Sequence, residues 1–235
     1  MASFGKFKSN MKTMATTIVR GTFAFRRIFL TYIVVLLISG LVYAVFSVYS
    51  SINSILEDSR STPWGIVTSI FAHSSLGHIT LNMSVLLVFV FLFAFCNCTF
   101  PSQDKRKIES FFLVSSFGSA MVSNVLWLLV TSNSSVGASG LVYAAEGNLL
   151  GFSLANGLQF LYFSKLKAQK PSIVFIVIMN LLIFVLFAYQ IFLNPAIFLS
   201  IVQGINIIAH GVSFLLCFFI SILWYRLSGK VSVLE

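Results

Sequence analysis

Six long apolar stretches, at about residues 28–50, 76–99, 110–131, 138–163, 172–193 and 197–224, alternate with short polar or turn-forming connectors. Each is long enough for an α-helix to cross the hydrocarbon core of a bilayer, which takes about 20 apolar residues. The connectors are 51–65, with Glu57, Asp58, Arg60 and Pro63; 101–109, with Lys105, Arg106 and Lys107; 131–137; 164–171; and a turn near Asn194 and Pro195. The pattern predicts an all-α, polytopic six-helix membrane domain over 28–225, a basic N-terminal segment over 1–27 and a short tail over 226–235. No internal repeat interrupts it.

Charge placement orients these spans. If they alternate across the bilayer, 14 of the 15 Lys and Arg residues fall on one side and only Arg60 lies opposite. The positive-inside rule then puts both termini in the cytoplasm, with the chain in a cell membrane. Composition agrees, since 58% of the 235 residues are hydrophobic and 9% are charged, far from the roughly 25% charged residues of soluble domains. The net charge of +9 is therefore a matter of topology and not of nucleic-acid binding, which calls for a basic face with interleaved aromatics. The first apolar stretch is too long for a signal-peptide core and lacks a small-residue cleavage site, so it reads as a retained span. Cys96, Cys98 and Cys217 lie in or beside apolar stretches and offer no disulfide framework.

Ionisable residues at membrane depth are costly and by default face a cavity or a partner. His73, His78, Glu146 and His210 are the candidates. His78 and Asn82 stand at i, i+4, Ser139 and Tyr143 likewise, with Glu146 a turn further on; Gln203, Asn206 and His210 stand at i, i+3, i+7. Three polar stripes on three otherwise apolar helices are expected to meet at one wet cavity near the outer surface. Hydrogen bonds that merely hold helices together are the competing account of any single stripe. Small residues at Gly137, Gly140 and Ala144, and at Ala209, Ser213 and Cys217, would let the fourth and sixth spans approach closely.

A serine beside a histidine can hydrolyse a peptide bond: the imidazole takes the hydroxyl proton during attack and returns it to the leaving amine. The oxyanion needs donors already in place, and His78, Asn82 and the Ser139 amide are the candidates. His73-x4-His78-x3-Asn82, Gly137-Ala138-Ser139-Gly140 with Tyr143, and Ala209-His210 resemble the second, fourth and sixth helices of the rhomboid family of intramembrane serine proteases. Trp64, nine residues before His73, matches the family's outer-loop tryptophan. The resemblance covers about residues 28–225.

It implies Ser139 as nucleophile, His210 as general base, His78, Asn82 and the Ser139 amide as oxyanion hole, and Tyr143 packed on the His210 ring. It implies no metal and no cofactor, and transmembrane protein substrates unwound near the outer surface. Membrane lipid is the other partner. The sequence departs from the family at Gly65, where relatives often carry Arg, and at Ser213 and Cys217, where they carry Gly; the latter two predict somewhat wider helix packing. Glu146 is read as hydrogen-bonding within the cavity and not as a catalytic group. Two rival functions stand: a catalytically silent rhomboid-like protein that binds membrane helices, and a small proton-coupled transporter with Glu146 and the histidines as relay.

Overall fold

The computed structural model describes residues 2–131, 133–163, 171–193 and 206–228. Among them run nine helices: α1 (Ala2–Phe23), α2 (Arg26–Val48), α3 (Ile52–Leu56), α4 (Gly65–Thr68), α5 (Leu76–Cys96), α6 (Ser102–Val130), α7 (Ser139–Phe163), α8 (Pro171–Leu193) and α9 (Ile207–Leu227). The only extended pairing among these residues is at isolated bridges. Residues 164–170 and 194–205, which include Lys165, Lys167, Lys170, Asn194, Pro195 and Gln203, lie outside the described residues, as does Lys230 in the tail.

Five helices, α2, α5, α6, α8 and α9, are long and apolar enough to cross a membrane. Leu30, Leu37 and Leu41 on α2, and Ile178, Leu186 and Phe192 on α8, are exposed. Apolar faces of that extent suit lipid and not water. The helix α7 has the same span length but is less apolar, carrying Glu146, Asn148, Ser153, Asn156 and four glycines before Leu158. Its position explains this. It packs against α5, α6, α8 and α9, and nearly every residue from 138 to 157 is buried, so its neighbours are protein and not lipid. Asn148 donates to Ser116 Oγ at 2.8 Å and accepts from Ser115 Oγ at 3.1 Å and Ser221 Oγ at 2.6 Å, tying α6, α7 and α9 together.

Three boundaries differ from the sequence expectation. The polar stretch 101–109 is not a loop but the first two turns of α6, which starts after Pro101; its charges mark where the membrane ends, not where the helix does. The basic N-terminal segment is largely helical, as α1. Of the sixth apolar stretch, expected over 197–224, residues 197–205 lie outside those described; α9 begins at Ile207, where the Asn206 side chain accepts the Ala209 N–H at 2.7 Å and caps the helix. An Asn at this position satisfies a backbone donor that has no partner inside the helix. Of the expected stripe of Gln203, Asn206 and His210, Gln203 lies outside the described residues, Asn206 precedes the helix and His210 sits in its first turn.

The expected widening between the fourth and sixth spans is also absent. A Cβ at Gly147 would run into the Phe214 carbonyl, and one at Gly151 into the Phe218 carbonyl. The bare backbones of α7 and α9 touch there, while Ser213 and Cys217 turn to α6, bonding Ser123 Oγ at 2.9 Å and Ser119 Oγ at 3.2 Å. Gly147→Ala is expected to destabilise the protein by about 1–3 kcal/mol through overpacking. Gly40→Ala, where a Cβ meets open space, is expected to be neutral or stabilising through helix propensity; thermal unfolding in detergent distinguishes the two signs.

The outer loop is held by backbone and small polar groups. Gly65 leaves no room for a side chain against Glu57 and Asp58. Instead of an arginine, Thr62 Oγ1 bonds the Glu57 carbonyl at 2.7 Å, Trp64 Nε1 the Ile55 carbonyl at 2.7 Å, and Asn124 Nδ2 the Ile66 carbonyl at 3.0 Å. Asp58 and Ser135 exchange backbone hydrogen bonds at 2.9 and 3.0 Å. The Asp58 carboxyl is wholly buried with neither oxygen hydrogen-bonded among the described residues, and burial pushes its pKa up to about 6. In the unfolded chain it ionises at its ordinary value, so the folded state alone holds the proton between pH 3.8 and about 6, and the cost of a buried charge grows as pH rises through that window. Asp58→Asn is expected to raise the melting temperature above pH 6, with a gain that disappears near pH 4; an equal gain at both pH values would contradict this.

Candidate active site

The starts of α5, α7 and α9 come together at one end of the bundle. Ser75 begins α5 as a capping residue, its Oγ accepting the His78 N–H at 3.1 Å. That cap sets His78 and Asn82 one and two turns into the helix, on one face. His73 lies just ahead of α5, as it does of the expected span 76–99; it is wholly buried, with its ring centroid 5.2 Å from that of His78.

Between α6 and α7 the chain turns at Gly137, the only residue with a positive φ (+125°) among those described. That angle favours glycine, and so does the space. A Cβ there would stand 2.7 Å from His78 Cε1, 2.9 Å from His78 Nε2 and 3.6 Å from Asn82 Nδ2. His78 and Asn82 therefore lie directly against the turn that leads into Ser139, the first residue of α7. The two amides before Ser139 are already engaged. Gly137 N–H donates to the Ser69 carbonyl at 2.9 Å, and Ala138 N–H donates to His73 Nε2 at 3.4 Å.

Accepting at Nε2 requires the proton on Nδ1, which faces the Phe71 carbonyl at 3.3 Å. Burial and the neighbouring His78 hold the His73 pKa down to about 4, so the neutral ring this bond needs is the form present at neutral pH. Asn82 is buried, and its Nδ2 has no hydrogen-bond partner among the described residues. An orphaned buried donor is rare enough to call for an explanation.

From the other side, the His210 ring packs on the Tyr143 ring, with centroids 4.2 Å apart and planes at 31°. Tyr143 is one turn beyond Ser139 on the same face of α7, so the imidazole of α9 lies over the stripe that Ser139 heads. Ser139, Tyr143 and His210 are each half-buried. Below them a Cβ at Gly140 would stand 3.4 Å from both Ser123 Oγ and Ser213 Oγ, and Glu146 is buried further down α7. The structure thus brings together Ser139, Tyr143 and His210 on one side and Gly137, His78 and Asn82 on the other.

Two parts of this arrangement are not in the motif set. One is His73 as the acceptor that fixes the Ala138 amide; the signal was Ser75 as a helix start, which leaves His73 in the loop. The other is Asn206. While its Oδ1 caps α9, its Nδ2 donates to Ser135 Oγ at 3.3 Å, and Ser135 is bridged to Asp58. Ser135 and Asn206 each precede a residue of the Ser–His pair by four positions, so this bond pins the two helix starts to each other.

Among the described residues no group of three or more His, Cys, Asp or Glu side chains forms a metal site, and Cys96, Cys98 and Cys217 are buried free thiols. The apolar helices describe an integral, multi-pass membrane protein. No curated protein matches the chain. A family model for the rhomboid domain matches residues 60–227, more than half of the sequence and inclusive of His73, His78, Asn82, Gly137, Ser139, Tyr143 and His210, and the chain belongs to the rhomboid family.

Proposed function

We propose that the chain is an intramembrane serine endopeptidase that cuts transmembrane protein substrates, with Ser139 as nucleophile and His210 as general base. The observation that carries this reading is the packing of His210 on Tyr143, one turn from Ser139. It supplies what a two-residue catalyst needs in place of a third carboxylate, a ring held in one orientation. In the mechanism, His210 takes the Ser139 hydroxyl proton as Oγ attacks the scissile carbonyl, then gives it to the leaving amine. Water, deprotonated by the same imidazole, releases the acyl chain from Ser139.

Charge on the carbonyl oxygen would be met by Asn82 Nδ2, the His78 side chain and the Ser139 amide. The orphaned Asn82 donor supports this role, because a donor without a ground-state partner is available to one that forms only in the transition state. The starts of α5, α7 and α9 also converge here, and each contributes the positive end of a helix dipole. A substrate helix has its own carbonyls internally paired, so it must unwind locally before attack.

We further propose six spans, α7 being the central one, with both termini cytoplasmic and the site opening outward. The exposed Arg26, Arg27, Arg106, Lys107 and Arg226 support this, since they cluster at the bundle end away from Ser139 and, among the described residues, only Arg60 lies on the site side.

Incubated with a model spanning substrate, the purified protein is expected to cleave it, and Ser139→Ala and His210→Ala to retain less than about one part in 10³ of the rate. Fluorophosphonate labelling is expected to disappear in Ser139→Ala. Folded wild type that neither cleaves nor labels would leave the silent, helix-binding reading. Asn82→Ala is expected to lower kcat by about 10²–10³ with little change in KM, and an equal rise in KM instead would assign Asn82 to substrate binding.

A further inference from the structure

The helix α1 takes no part in the proposed site, and its surface is unlike that of any spanning helix. Phe4, Phe7, Met11, Met14 and Ile18 recur at intervals of three and four, and Thr22 and Phe25 prolong the line; this spacing keeps them on one face of a helix. The inner end of the stripe is covered by protein. Thr22 and Phe25 are buried, the Phe25 ring meets Phe93 edge-on, and the backbone at Gly21 touches the Cys98 carbonyl just beyond the end of α5. Coverage fades toward the N-terminus: Met14 and Ile18 are half-buried, and Met11 is 47% exposed. Among the side chains described, cover thus falls from Thr22 to Met11, and the sequence carries the apolar line on to Phe7 and Phe4.

Its charges have one sign. Lys6, Lys8, Lys12 and Arg20 occupy positions off the stripe, and α1 contains no Asp or Glu. Around its inner end Arg26, Arg27, Arg106 and Lys107 are exposed, whereas the acids of the same region, Asp104 and Glu109, are buried, Glu109 accepting the Arg27 N–H at 2.9 Å. A helix of 22 residues is about 33 Å long, long enough for its outer half to lie along the membrane while it packs on α5 and α8. A second copy of the chain would set cations against cations. The boundary between acyl chains and anionic headgroups satisfies both features, taking the apolar stripe below and the lysines above.

We infer that α1 is an in-plane anchor whose outer half, around Phe4, Phe7 and Met11, is seated in an anionic lipid leaflet held by Lys6, Lys8 and Lys12. The native cysteines are buried, so single-cysteine probes can be added to the full chain. Met11→Cys reports the stripe and Ser9→Cys the opposite side. In bilayer discs of phosphatidylcholine with about a third phosphatidylglycerol, a water-soluble maleimide is expected to label Met11→Cys at least tenfold more slowly than Ser9→Cys. Each basic residue near an anionic surface is worth about a fivefold change in binding. Combining Met11→Cys with Gln at 6, 8 and 12, or using phosphatidylcholine alone, is therefore expected to remove most of that protection.

Equal labelling of both probes in anionic discs would overturn the inference. So would protection of Met11→Cys that ignores lipid charge, which would assign the stripe to protein packing, and so would protection that grows with protein density, which would assign it to self-association.

Discussion

Between α7 and α9 two helix backbones touch, with glycine hydrogens of one against main-chain carbonyls of the other at Gly147–Phe214 and Gly151–Phe218. In a bilayer there is no hydrophobic drive to bring apolar helices together, so close van der Waals contact and interhelical hydrogen bonds must do it. The glycines supply the first, and Asn148 with Ser115, Ser116 and Ser221 supplies the second. Everything at the bundle end follows from this distance. A wider separation would lift the His210 ring off Tyr143 and leave Ser139 alone on its helix. The same demand accounts for the composition of α7, which is too polar to face lipid and too small in its side chains to fill space by itself.

The corner opposite His210 is organised by a different economy of contacts. The backbone from Gly137 to Ser139 turns through a conformation that only glycine adopts readily, and its first two amides are taken by Ser69 and by a neutral His73. That leaves the Ser139 amide, at the head of a helix, two residues beyond the glycine that His78 and Asn82 lie against. Asp58, Ser135 and Asn206 close the arrangement from outside by joining the loop, the turn and the start of α9. The loop replaces the arginine common in relatives with a glycine at 65, and its anchoring passes to Thr62, Trp64 and Asn124. The proposed chemistry is thus surrounded by structural hydrogen bonds that fix positions without competing for the oxyanion donors.

At the far end the molecule is ruled by charge. Exposed arginines and lysines ring the starts of α2 and α6 and the end of α9, while the acids among them are buried. The α1 stripe belongs to this end. Its apolar residues and its cations make sense together only at a boundary, which links the topology of the bundle to the surface on which it rests.

The apolar runs, their lengths and the one-sided distribution of Lys and Arg determined by themselves that this is a multi-pass helical membrane protein, because lipid permits few other backbone solutions. The helical spacing of His78 and Asn82, and of Ser139 and Tyr143, was legible for the same reason: side chains four apart share a face whatever surrounds them. Helix ends were less so. Lys105–Lys107 look like a loop because polarity reports the edge of the membrane, and a helix can cross that edge; Asn206 looks like part of a stripe because period alone cannot tell a cap from an interior residue. Tertiary structure alone decided that Gly147 and Gly151 set the approach of α7 and α9, that His73 holds an amide, that Gly65 meets backbone, and that Asn206 reaches Ser135. Each of these depends on two segments distant in the chain coming within a few ångströms, and a linear pattern contains the periodicity of one element but not the distance between two.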